Sequence, residues 1–456
     1  MTRNNYNGKK GSGPIFLVII IFLSFSYSTD NGLSDTEIIS LNKNPDLRDL
    51  ALNFPVDPLM VEGQKIYFQV EKKHLEGIRQ AGYFFSLETH RFNPQISPGH
   101  SIKLRWQGGL NGAYHSYKEL ESELQALVRA YPSITRLYIL GKSLENRNIY
   151  ALKISDNVST RENEPAITFL GGHHAREWIS LEIPLLIGKH LLENYTSDDR
   201  IKFLVDSAEI WVIPLVNPDG LQYSILNYRL WRKNRRLNYD GSYGVDLNRN
   251  YSFAWAYDSL GSSPNPSSAD YRGLEPFSEP ETRAINNFFH NHNLAAAISY
   301  HSFSQSILYP WGYLDQATED EPLFQQLSAA MAELIYQVNG RIYETGRAAA
   351  ALYLTNGDFA DWAYAFFQIP AFTIELPPLD LAQGGFVNSE ADIDEIFQEN
   401  LPPALFLIDW VIANYEETIP ERPPYFYLKR ELEKRLEIIV KDRKSSGFLG
   451  KEQGVK

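Results

Sequence analysis

The chain has 456 residues, too many for one small domain and suited to a domain of roughly 300 residues with appendages. Its 43 Lys and Arg against 56 Asp and Glu leave a net charge of −13, which argues against a nucleic-acid binder, because phosphate contacts need a basic surface. The absence of cysteine excludes disulfides, thiolate metal sites, a Cys nucleophile and a lipid-bearing Cys. It favours a prokaryotic envelope or extracellular setting for a chain that is exported.

Export is what the N-terminus predicts. Arg3, Lys9 and Lys10 precede an apolar run from Ile15 to Phe25, and small residues around Ser26-Tyr27-Ser28 flank a possible cut before Thr29, the three parts of a secretory signal peptide over residues 1–28. A comfortable membrane span needs ~20 apolar residues, so the alternative is a short anchor that is never removed. Residues 29–110 then read as a small α/β unit, with strands at Ile66–Val70 and Tyr83–Leu87 around a helix from Lys73 to Ala81, and a loop rich in Pro, Gly and His from Asn93 to His100.

From Tyr114 the pattern alternates. Leu120, Leu124, Leu127 and Val128 recur at helical spacing within Tyr117–Tyr131. Strands are predicted over 133–140, 148–154, 166–170, 209–217, 295–301 and 371–376, with a turn at Asn217-Pro-Asp-Gly220. Helices are predicted over 179–195, 279–292 and 323–338. Strands separated by helices imply an α/β sheet covered on both faces, with ligands at the carboxyl ends of its strands. After about Tyr415, Ile419-Pro-Glu-Arg-Pro-Pro424 reads as a linker, and the rest of 417–456 as a charged, solvated tail.

The chemistry concentrates where the 166–170 strand ends. Gly171 and Gly172 let the backbone turn, and His174 and Glu177 come next at a spacing that puts an imidazole and a carboxylate on one side of a tight turn or opening helix. Catalytic zinc commonly takes two His and one Glu and keeps a fourth position open. A third ligand should come from another strand end, as His301 does. His173 competes with His174, and as isolated residues His290 and His292 are as good as His301.

The segment Gly171–Ile179 resembles the zinc signature of the metallocarboxypeptidase family of the carboxypeptidase A/B type, peptidase family M14. Further motifs occur in that family's order from about Tyr114 to about Tyr415. The resemblance implies a mixed, mostly parallel eight-stranded sheet with helices on both faces in a catalytic domain over 111–416. It also implies that 29–110 is a pro-region rather than a permanent accessory domain. Zn2+ would be held by His174, Glu177 and His301, one ion per chain. Arg232, in Asn227–Arg236, matches the arginine that polarises the scissile carbonyl. Asn248 and Arg249, in Gly244–Asn250, match the pair that captures a terminal carboxylate. Tyr353 matches the tyrosine that closes over substrate. Arg176 matches one that contacts substrate further from the cut bond. Glu375, a single acid in the apolar run Pro370–Leu376, matches the general base. Arg229, Lys233, Arg235 and Arg236 keep the plain reading of a basic surface patch.

The pocket for the C-terminal side chain should include Gly312, Ala348, Asp358 and Ala360. Ala360 stands where enzymes that cut basic ends carry an acid, and Asp358 lies two residues earlier. The stretch Thr355–Trp362 looks more like the bacterial carboxypeptidase T branch, which accepts hydrophobic and basic ends. Phe303 departs from the tyrosine usual in animal digestive enzymes. Together these features predict a secreted or periplasmic monomer acting on peptides or proteins with a free C-terminus, without nucleic-acid partners or stable membrane insertion once the signal is removed. The competing readings are a cell-wall muropeptide peptidase of the same fold and a peptide-binding relative that has lost turnover.

Overall fold

The structure, a computed structural model, describes residues 36–42, 56–62, 65–88, 111–160, 162–380 and 383–415. The predicted signal peptide, the loop at 93–100 and the charged tail at 417–456 lie outside the described residues. None of the described helices is long and apolar enough to cross a membrane.

The N-terminal part is an antiparallel four-stranded sheet, β1 (Thr36–Asn42), β2 (Val56–Glu62), β3 (Lys65–Glu71) and β4 (Ser86–Leu87), in the order β2-β3-β1-β4, with one short helix, α1 (Leu75–Gln80). Two of these strands, β1 and β2, were not expected from sequence, and the strand expected at 83–87 shrinks to its last two residues. Alternation along β1 and β3 divides the side chains between two faces. Ile39, Leu41, Phe68 and Val70 pack on Ile78 of α1. Ile38 and Tyr67, on the other face, join Ala175, Tyr228, Leu230, Trp231 and Phe386 of the larger unit.

That larger unit holds eight strands: β5 (Thr135–Lys142), β6 (Asn148–Ile154), β7 (Ala166–Leu170), β8 (Glu209–Ile213), β9 (Leu294–Ser302), β10 (Ser306–Tyr309), β11 (Glu344–Arg347) and β12 (Ala371–Leu376). They form one sheet in the order β11-β10-β12-β9-β7-β8-β6-β5. Its central ladders, β12·β9, β9·β7 and β7·β8, are parallel, as is β10·β11 at one edge, while β10·β12, β8·β6 and β6·β5 are antiparallel. The sheet is thus the mixed, mostly parallel one expected. The chain runs outward from β7 to β8 and then returns across β7 to β9, so the switch point of an open α/β sheet falls between β7 and β9.

Helices cover both faces. On one side lie α2 (Tyr117–Ala130), α3 (Ile179–Asn194), α4 (Asp199–Asp206), α7 (Glu321–Asn339) and α10 (Asp392–Asn414), packed on Ile167, Phe169, Ile210 and Val212. On the other, α6 (Pro280–Asn291) and α9 (Phe359–Phe367) pack on Ala166, Leu170, Trp211 and Ile213. The starts of these helices are written locally. Ser116 and Glu119 form a reciprocal capping box at α2. The predicted turn at 217–220 instead opens a helix, α5 (Pro218–Leu226), whose first turn is capped by the Asn217 side chain accepting from Gly220 N, with Pro218 at the position where a missing N–H costs nothing.

Candidate active site

β7 delivers its chain end through two obligatory glycines. A Cβ on Gly171 would lie 1.9 Å from the Ser180 carbonyl oxygen, and Gly172 has φ +64°. Ser180 Oγ locks the turn, accepting from Gly172 N at 3.1 Å and donating to the Glu177 carbonyl at 2.6 Å. His174 and Glu177 therefore emerge just before α3, with Nδ1 and Oε1 2.8 Å apart. His301 comes from the end of β9, its Nδ1 3.1 Å from His174 Nδ1 and 3.1 Å from Glu177 Oε2. All three side chains are buried.

Two imidazole lone pairs and a carboxylate facing one another in a dry site repel unless a cation lies among them, and this nitrogen-and-oxygen set suits zinc. The outer ring nitrogens agree. His174 Nε2 meets Asp246 Oδ1 at 3.1 Å and His301 Nε2 meets Ser299 Oγ at 3.0 Å, which puts the protons outside and leaves both Nδ1 atoms as donors to a metal.

Asp246 is the residue that sequence reasoning missed. Its Oδ2 accepts from Arg232 Nε and Nη2 at 3.1 and 2.9 Å, and its Oδ1 accepts from Asn248 N at 2.9 Å. Burial opposes its ionisation, but Arg232 and His174 hold its carboxyl well below the usual range. One buried carboxylate thus orients a metal-site imidazole, fixes Arg232 and shapes the loop of Asn248. The signal that could have found it is the one that marks Glu375, a lone acid between apolar neighbours, here Val245 and Leu247.

Glu375 lies on β12 in register with His301 on β9, which places it at the same sheet edge. It is 9% exposed, and burial pushes its carboxyl up to about 7, with His301 pulling it down and Glu177 pushing it further up. His174, Asn248, Arg249, Tyr353, Ala348, Asp358, Ala360 and Glu375 line one cleft. Asn248 Oδ1 accepts from Phe359 N at 2.9 Å, which ties its loop to the start of α9. Arg249 is 3% exposed. Its Nη1 donates to the Asn248 carbonyl, its Nε has no hydrogen-bond partner, and among the described residues no carboxylate pairs with it. Tyr353, 49% exposed, lies with its ring 5.9 Å from the Arg249 guanidinium carbon.

Asp358 sits in the cleft wall as the cap of α9. Its Oδ1 accepts from Asp361 N at 2.9 Å, its Oδ2 from the Thr355 hydroxyl, and burial raises its pKa. Gly312 belongs to the same wall, since a Cβ there would lie 2.7 Å from Asp358 Oδ2. Asp361, also unforeseen, lines the cleft and accepts from Gly312 N and Tyr313 N.

Several expectations need correction. Arg176, expected to contact substrate, is 1% exposed and stacks 3.7 Å over Phe386, so in the state described it lies beneath that ring. The basic patch is a set of partnered residues, Lys233 buried and the three arginines half-buried. Arg229 stacks on Trp178 and donates to the carbonyls of Arg176 and Phe386, Lys233 is buried and donates to Pro266 O, Arg235 nests among Tyr223, Trp231 and Tyr243, and Arg236 pairs with Glu279. Burial brings Arg229 down to about 9 and Lys233 to about 7. Neither isolated alternative to His301 reaches the converging donors: His292 packs 4.5 Å from Trp211, and His290 is exposed. His173 is fully buried and turned away from the converging donors, toward Tyr251 and Ser299. Phe303 packs on Phe386, 4.8 Å between centroids.

A buried acid beside a nitrogen-and-oxygen metal site is equipment for attack by water rather than by a side chain, so by class this is a metal-dependent hydrolase. The family model described as zinc carboxypeptidase, peptidase M14, matches residues 120–403, and the chain belongs to that family. Carboxypeptidase O of Bos taurus is 33% identical over 306 residues, which span 66% of this chain and 80% of the relative. Metallocarboxypeptidase A of Trichophyton tonsurans is 34% identical over 323 residues, 69% and 74% of the two chains. Among solved structures, thrombin activatable fibrinolysis inhibitor aligns with a TM-score of 0.66 at 25% identity, covering 84% of this chain and all of the other. Carboxypeptidase A from Helicoverpa armigera aligns with a TM-score of 0.64 at 25% identity, covering 83% and 98%.

Proposed function

We propose that this zinc carboxypeptidase removes the C-terminal residue of peptides and proteins that end in a free carboxylate. The observation that carries the reading is Arg249, a buried guanidinium with an unpartnered Nε and no carboxylate of its own among the described residues, in the same cleft as Glu375 and the metal-site imidazole of His174. A buried arginine without an anion is costly, and a planar carboxylate is what its fork recognises.

His174, Glu177 and His301 would hold zinc, which when bound would polarise the scissile carbonyl and activate water. Asn248 and Arg249 take the terminal carboxylate, and Tyr353 closes over it. Arg232, tethered by Asp246, supplies fixed positive charge to the developing oxyanion. Glu375 accepts a proton from the attacking water and passes it to the leaving amine. The side-chain pocket, with Ala348, Ala360 and Gly312 as small walls and Asp358 as its acid, takes both hydrophobic and basic ends.

The N-terminal sheet is read as a pro-region, because Ile38 and Tyr67 pack on Ala175, which lies between two metal-site residues, and on Phe386, which covers Arg176. Together with the predicted signal peptide this describes a secreted zymogen, latent until the sheet is removed. Arg176 reaches substrate once Phe386, freed of its packing on the sheet, moves off the guanidinium.

The test is amino-acid release from peptides ending in Phe, Leu, Arg, Lys or Glu, with and without a chelator, by uncut and protease-trimmed chain. Chelator-sensitive release that needs trimming is expected. Release only from muropeptides would replace this reading with the cell-wall one, and zinc binding without any release would favour a binding protein.

A further inference from the structure

Behind His301 runs a buried polar chain in which no member lines the cleft. Ser299 precedes His301 by two residues on β9, so both point to one face of the sheet. Ser299 Oγ lies 3.0 Å from His301 Nε2 and 3.2 Å from His173 Nδ1, and His173 Nε2 lies 2.9 Å from the Tyr251 hydroxyl. Ser299, His173 and Tyr251 are each 0% exposed. Tyr251 is boxed by Phe277, Phe359 and Trp362, with ring centroids 5.8, 5.6 and 5.0 Å away.

Three consecutive polar groups in an apolar box are expensive unless each satisfies the next. The contacts run in one continuous line, and a metal on His301 Nδ1 sets their direction: His301 Nε2–H then donates to Ser299 Oγ, whose hydrogen goes to His173 Nδ1, and His173 Nε2–H goes to the Tyr251 oxygen. With the ring proton held on Nε2, the lone pair of His301 faces His174 and Glu177. The companion imidazole is held differently, by the charged carboxylate of Asp246.

We propose that Tyr251, His173 and Ser299 form a neutral positioning chain that fixes the orientation of the His301 ring and supports the tautomer whose Nδ1 is open to zinc. His173 is a competitor for the metal by sequence alone, and here it has a task of its own one layer further in. Tyr251 also lies two residues beyond Arg249, with its backbone N–H bonded to Gly357 O at 3.0 Å. Removing only its hydroxyl leaves the carboxylate-binding loop anchored.

The experiment compares Ser299→Ala and Tyr251→Phe with the parent chain. Four properties are measured: Zn2+ affinity by chelator competition, the visible spectrum with Co2+ in place of zinc, KM for a peptide substrate, and thermal unfolding of the metal-free protein. Zn2+ affinity is expected to fall about 10–100-fold in Ser299→Ala, the usual cost of losing a group behind a metal-bound histidine, and about threefold to tenfold in Tyr251→Phe. The Co2+ spectrum should change while KM stays at the parent value, and any loss of metal-free stability should be smaller than the loss of zinc-binding free energy. Affinities within twofold of the parent, or a loss of affinity matched by an equal loss of metal-free stability, would overturn the proposal. If Ser299→Ala does not fold, Tyr251→Phe alone decides. A parent chain that binds no Zn2+ would overturn the metal centre itself.

Discussion

The metal end of the cleft and its carboxylate end are built by different means. His174, His301 and Glu375 stand at or beside the ends of β7, β9 and β12, so parallel ladders set their spacing before any side chain makes a contact. Asn248, Arg249, Tyr353 and Asp358 stand on loops, placed by side chains that cap and tether. Asn248 holds Phe359 N, and Asp358 caps α9. Backbone register makes a rigid frame for chemistry, whereas tethered loops make a recognition surface that can close or change with few substitutions. Asp246 is the joint, since it grips His174 on one side and Arg232 and the Asn248 backbone on the other.

Substitutions at the two ends should therefore fail in different ways. At the metal end, Glu375→Gln is expected to lower kcat about 10²–10⁴-fold with little change in KM or zinc content; an unchanged kcat would remove Glu375 from the reaction. The parent's pH profile sharpens this. Burial raises the Glu375 pKa to about 7, and a base works only when ionised, so kcat/KM should climb as pH rises. A bound divalent cation favours the ionised form, which puts the midpoint of that limb below about 7 and above the ordinary glutamate range. An activity that falls with rising pH between about 5 and 7 would contradict the assignment.

At the joint, Asp246→Asn is expected to weaken zinc binding about 10–100-fold and to lower kcat as well, because it loosens an imidazole and the oxyanion arginine together. Zinc titration and steady-state kinetics on one preparation check both, and loss of only one would show that Asp246 serves one end alone. The smallest effect belongs to the pocket. Asp358→Ala should shift the ratio of Arg to Phe release by about tenfold or less, since both Asp358 oxygens already accept internal hydrogen bonds and a further one to a charged group is worth only about 1.5 kcal/mol. An unchanged ratio would remove Asp358 from specificity.

The same contrast explains what could be read from the sequence. The strand and ligand segment 166–177 is legible because an apolar run, two glycines and a His-x-x-Glu each point to the same local structure, and β6, β7 and β12 fall at the boundaries their apolar runs predict. Where tertiary packing overrides local signals, legibility ends. α10 was not expected from sequence: it contains Pro402 and Pro403, yet Leu401, Leu405, Leu407 and Ile408 bury it as one helix. β11, Glu344–Arg347, has no large apolar residue and is a strand only because β10 pairs with it. The residues behind the ligands, Asp246, Ser299 and Tyr251, have no motif of their own. They become functional through contacts between segments far apart in sequence, and the partners of Arg229, Lys233, Arg235 and Arg236 are likewise set by such contacts.

The most direct test of carboxylate capture is kcat/KM on one peptide as its free acid and as its C-terminal amide, for the trimmed parent and for Arg249→Ala. The parent should prefer the free acid by about 100-fold or more, the worth of a charge-assisted bidentate pair, and Arg249→Ala should bring the two peptides close to parity. A parent that cleaves the amide as readily, or a preference that survives the loss of Arg249, would contradict the account.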